Sequence, residues 1–66
     1  MKTRNLIDGL EILINYDKHV YSVCAEHDCI YAGPDNGADV IPADATLLRE
    51  LGWRIDDGCG RWQAYV

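Results

Sequence analysis

Two cysteines, a histidine and two carboxylates fall within the six residues Cys24-Ala25-Glu26-His27-Asp28-Cys29, and thiolate and imidazole are donors that zinc accepts. His19 lies just upstream and would make a fourth ligand. Structural zinc sites, however, usually draw on two short paired motifs, and only one such loop is present. Cys24 and Cys29 flank the polar segment Ala25-Glu26-His27-Asp28 between apolar runs. That spacing favours a four-residue hairpin turn with the two thiols facing each other across the strands as small apolar side chains. The same residues would supply a Cys–His nucleophilic pair, but that chemistry also needs a group to orient the imidazole, oxyanion donors and shelter from water. A hairpin tip shelters little. Asp56-Asp57-Gly58 is a further carboxylate pair, and its glycine marks it as turn chemistry rather than an acid–base couple. Neither an enzymatic activity nor a metal or other cofactor is expected.

Charge is more informative than nucleophiles. The formal net charge is −5, and its distribution along the chain is uneven. Residues 1–18 set Lys2, Arg4 and Lys18 against Asp8, Glu11 and Asp17, and residues 49–66 set Arg49, Arg54 and Arg61 against Glu50, Asp56 and Asp57. Both ends are neutral. The excess falls in residues 19–48, where Glu26, Asp28, Asp35, Asp39 and Asp44 meet no Lys or Arg. Such a segment repels nucleic acid and anionic membranes and attracts basic surfaces. Direct nucleic-acid binding and membrane association are therefore not expected, the more so because no basic stripe and no long apolar run is present. The N-terminal residues lack the apolar core of a signal peptide, and an odd count of three cysteines fits a reducing compartment, so the expected location is the cytoplasm.

The elements that must carry these residues follow from periodicity. With 66 residues the chain is expected to form a single domain, 1–66, with little room for a deep cleft. Leu6, Leu10 and Leu13 form one stripe, with Ile7 and Ile14 beside it, which predicts a helix over 4–15 capped by Thr3 or Asn5. Gly9 is a weak point in it. VYSVCA (20–25) and CIYAG (29–33) read as a β-hairpin, and Gly33-Pro34-Asp35-Asn36-Gly37 as a loop. Pro42 opens a helix over 42–51 that Gly52 stops. Residues 53–55 and 61–66 alternate apolar with polar around the Asp56-Asp57-Gly58 turn, a second hairpin. The order α-β-β-α-β-β implies an α+β fold, an antiparallel sheet with helices packed on one face.

Four stretches carry a likeness: Asn5 to Leu13, Ala25-Glu26-His27-Asp28 with Ile30, Tyr31 and Gly33, Leu47 to Trp53, and Trp62 with Ala64 and Val66. On these the chain resembles a group of short acidic proteins from phages, prophages and mobile elements of proteobacteria, and is similar to small anti-CRISPR inhibitors of type I systems carried on Pseudomonas elements. The likeness spans nearly the whole chain and brings no functional residue with it. It implies an inhibitor of a host CRISPR surveillance complex. The residues themselves suggest how, with Glu26 and Asp28 on the hairpin tip and Asp35, Asp39 and Asp44 along the loop and helix start imitating a row of phosphates. His27 and Tyr31 would contact the partner at the rim. An alternative is a general protein–protein interaction module in which an exposed sheet face makes the contact and the acids only solubilise it. A small zinc protein is a further alternative.

Overall fold

The computed structural model describes residues 1–16 and 24–65, with the backbone alone at Cys24 and Glu26. The expected first strand lies outside the described residues over 20–23. Within them the fold is α+β. Helix α1 spans Thr3–Leu13, strand β1 Cys24–Glu26, strand β2 Cys29–Ala32, helix α2 Pro42–Glu50, strand β3 Arg54–Ile55 and strand β4 Trp62–Tyr65. A 3₁₀ turn, Gly37–Asp39, precedes α2. The strands form one antiparallel sheet in the order β1-β2-β4-β3, so the second hairpin inserts its last strand beside the first.

Register decides which side chains meet. Ile30 pairs with Ala64, Ala32 with Trp62, and Ile55 with Trp62, and paired residues share a face. That face is the inner one: Ala32, Trp62 and Ala64 are buried in one cluster with Leu13 of α1 and with Ala45 and Leu48 of α2. Both helices therefore cover the same side of the sheet. Cys29, Tyr31, Gln63, Tyr65 and Arg54 alternate onto the opposite side.

Trp53 and Trp62 anchor this core, exposed to only 1% and 0%. Each indole nitrogen donates to a backbone carbonyl, Trp53 Nε1 to Asn5 (3.3 Å) and Trp62 Nε1 to Gly37 (3.1 Å). Their polar handles are thereby satisfied within the interior. Gly9 is what admits Trp53 against α1: a Cβ there would stand 1.9 Å from the indole nitrogen. The glycine's weak helix propensity is thus offset by the packing it allows.

The ends of the helices differ in detail from expectation. Neither Thr3 nor Asn5 caps α1; Lys2 takes the capping position without a side-chain bond. Helix α2 begins at Pro42 and has Asp44 in its first turn and Arg49 in its last, each matching the sign of the helix dipole. Beyond it Gly52 takes φ +99°, Gly52 N–H donates to Arg49 O (3.1 Å) and Trp53 N–H to Leu48 O (2.9 Å). This paired closure ends the helix and directs Trp53 into the core.

Candidate functional site

The first hairpin closes more tightly than the spacing of its thiols suggests. Cys24 pairs with Tyr31 and Glu26 with Cys29, so the turn is His27-Asp28 alone. The cysteines are diagonal neighbours rather than opposite partners, which corrects the expected thiol pairing. A two-residue loop of type I′, whose twist matches that of the strands, needs positive φ at both positions, and His27 (52°) and Asp28 (24°) both adopt it. Both side chains are exposed. Cys29 is buried on the outer side of the sheet and Cys59 is an exposed thiol in the β3–β4 turn. Among the described residues no group of three His, Cys, Asp or Glu is placed to hold a metal; His19 lies outside them and the Cys24 side chain is not described.

The acidic residues divide into two sets. Asp28 stands at the start of β2 and Asp35 beyond its end, so the four-residue strand Cys29–Ala32 separates them by roughly 13 Å at about 3.3 Å per residue. On a molecule whose extents are 24 × 23 × 22 Å, that is about half the width, so Asp28 and Asp35 lie beyond the two ends of β2 rather than on one patch. Glu26 belongs with Asp28 by its backbone. Tyr31 is half-buried in the middle of β2, away from both.

Asp35 and Asp39 are exposed and sit on a loop held firmly at Gly37, whose N–H donates to Gly60 O (2.7 Å) while its carbonyl accepts from Trp62 Nε1. Asn36 Oδ1 accepts from Ala38 N (3.0 Å) and shapes the 3₁₀ turn. The bond to Gly60 joins this loop to the β3–β4 turn, closed by Asp56 N–H to Arg61 O (2.8 Å) and Gly60 N–H to Asp56 O (2.7 Å). Asp56 and Asp57 belong to that turn. Carboxylates from two distant stretches are thus brought to one end of the sheet, and none of these four is in an ion pair with a described residue.

The arginines that balance Asp56 and Asp57 in the sequence are engaged elsewhere. Arg49 lies over the Trp62 ring at 5.4 Å and Arg54 over the Tyr65 ring at 4.8 Å. Arg54 Nη2 also donates to Tyr65 Oη (2.6 Å), and Arg61 Nη2 donates to the Gly33 carbonyl (2.9 Å). Asp56 and Asp57 are therefore site candidates that charge counting along the chain passes over. The available signal was the glycine at each contact, Gly37 and Gly60, where two backbones approach closely.

Asp44 is held differently. It is half-buried on α2, and its Oδ2 accepts a short 2.5 Å hydrogen bond from Tyr16 Oη, which in turn accepts from Ile41 N–H (3.4 Å). The carboxylate raises the Tyr16 pKa above its ordinary 10.0 because an ionised phenol would lose that bond, and burial pushes it the same way. Asp44 thus ties the turn that follows α1 to the start of α2.

No family model matches the chain, and neither the curated proteins nor the solved structures contain a match to it.

Proposed function

We propose that this protein is an inhibitor that occupies a basic nucleic-acid-binding surface of a host complex, with a type I CRISPR surveillance complex as the partner. The observation that carries the reading is the gathering of Asp35 and Asp39 with the Asp56-Asp57 turn through the Gly37–Gly60 bond, at an end where these acids have no ion-pair partner among the described residues. Effector complexes of this kind hold nucleic acid in positively charged channels, and a compact set of carboxylates competes for the same cations. Blocking is steric and electrostatic, without bond making. The resemblance to phage-borne inhibitors supports the choice of partner, and Asp28 on the hairpin tip provides a second, separate contact.

The test is target-DNA binding by the purified surveillance complex in the presence of increasing amounts of this protein. Wild type should displace DNA, and a folded variant with Asp35, Asp39, Asp56 and Asp57 all changed to lysine should lose at least about tenfold in potency, a factor equal to about 1.4 kcal/mol. Equal inhibition by that variant would remove the acidic end from the mechanism. The general interaction module is favoured by one observation, the exposed Tyr65, 52% accessible, with Arg54 stacked on it, since tyrosine and arginine are enriched at protein interfaces. It predicts binding that depends on Tyr65 and survives the four reversals.

A further inference from the structure

Gln63 is 4% exposed, yet it lies on the side of the sheet that the helices do not cover. Its position follows from register: Trp62 and Ala64 on either side face the core, and Gln63 pairs with Arg54 across the sheet. Among the described residues its carboxamide makes no side-chain hydrogen bond, although a carboxamide offers two donors and an acceptor oxygen. The amide is nonetheless not sealed from solvent, since among the described residues the one sealed side-chain atom without a hydrogen bond is Arg61 Nε. Gln63 also lines a groove of about 260 Å³ with Arg54, Ile55, Asp56 and Asp57.

The charges of this groove are arranged along its length. Arg54 is drawn toward Tyr65, which it both stacks on and bonds, and Tyr65 lies on the far side of Gln63 from Arg61, the residue that bonds Asp56. The end near Asp56 and Asp57 is left with carboxylate oxygens and the Gln63 amide. Several acceptors around one small concavity match a planar cation with several in-plane donors better than a point charge.

We infer that this groove is a receptor for one arginine side chain of a partner protein, its guanidinium bound by Asp56, Asp57 and the Gln63 carboxamide oxygen. The inference deepens the proposed function, resting on it for the existence of a basic partner, and it names the single contact on that partner expected to matter most. Arginine residues seated in desolvated pockets are frequent energetic centres of interfaces.

The experiment needs no host complex, so its failure is distinct from failure of the inhibitor reading. The ¹⁵N-labelled full chain is titrated with N-acetyl-arginine methylamide, N-acetyl-lysine methylamide and magnesium chloride, and amide shifts are followed by NMR. The arginine compound should shift the Gln63 side-chain NH₂ pair and the Asp56 and Asp57 amides saturably. The lysine compound should bind at least about fivefold more weakly, a factor on the order of 1 kcal/mol. The arginine shifts should be lost in Asp56→Asn/Asp57→Asn, and in Gln63→Met should they be weakened, with each variant's own spectrum reporting its fold. Absence of saturable shifts at these residues overturns the inference. So does equal response to the lysine compound, or a magnesium response at the same residues as strong as that to arginine.

Discussion

At the scale of single residues, the positions that matter most are those where one side chain allows or forbids another. Gly9 is the clearest case. Helix propensity alone predicts that Gly9→Ala stabilises α1 by about 1 kcal/mol, but the added methyl would collide with the indole of Trp53. Overpacking of this kind typically costs about 1–3 kcal/mol, so the net effect on the denaturation midpoint should be a clear loss; a gain would mean that Trp53 is not seated against the helix. Tyr16 yields a pH dependence. Its pKa is raised in the fold, chiefly by the bond to Asp44, so the folded state holds the phenol proton more tightly than the unfolded chain does. The resulting stability is complete below the unfolded value of 10.0 and is lost as pH rises through and beyond it. Wild type should therefore lose stability more steeply above that pH than Tyr16→Phe, measured as chemical denaturation at a series of alkaline pH values, and parallel curves would discount the coupling.

At the scale of elements, the sequence made the helices and the hairpin order legible, and the turns less so. The leucine stripe predicts a helix over 4–15, and α1 occupies Thr3–Leu13; Pro42 and Gly52 predict 42–51, and α2 occupies Pro42–Glu50. Apolar periodicity and helix punctuation act locally, so they can be read locally. The first hairpin forms as expected, but its turn is two residues rather than four, and its turn residues do not announce themselves: positive φ at both positions calls for Asn-Gly or Asp-Gly, and this chain uses His27-Asp28. It follows that His27→Asn/Asp28→Gly, by relieving the cost of the left-handed conformation, should stabilise the hairpin by about 1 kcal/mol, read as a raised midpoint of thermal or urea unfolding. An unchanged or lowered midpoint would show that the native side chains supply compensating bonds. The acidic end was legible only in part. Asp35 and Asp39 stand out in a loop without basic residues, whereas Asp56 and Asp57 were balanced on paper by nearby arginines. Balance along the chain is not balance in space, because Arg49 and Arg54 lie over aromatic rings.

At the scale of the whole molecule, the net charge of −5 is modest, and its arrangement counts for more than its size. Screening over about 8 Å at physiological ionic strength lets the carboxylates of one end act together while Asp28 and Glu26, a strand length away, act separately from them. In the competition experiment the potency of wild type should accordingly fall as salt rises, and the fourfold reversal should flatten that slope, whereas reversal of Asp28 alone should change it little. A salt-independent potency would favour the Arg54–Tyr65 face. The backbone bond between Gly37 and Gly60 carries a last consequence. The epitope is discontinuous, assembled from segments 35–39 and 56–60 with residues 40–55 between them, so a linear peptide cut from either segment would reproduce half of it at best, and an antibody against this end would be blind to the denatured chain.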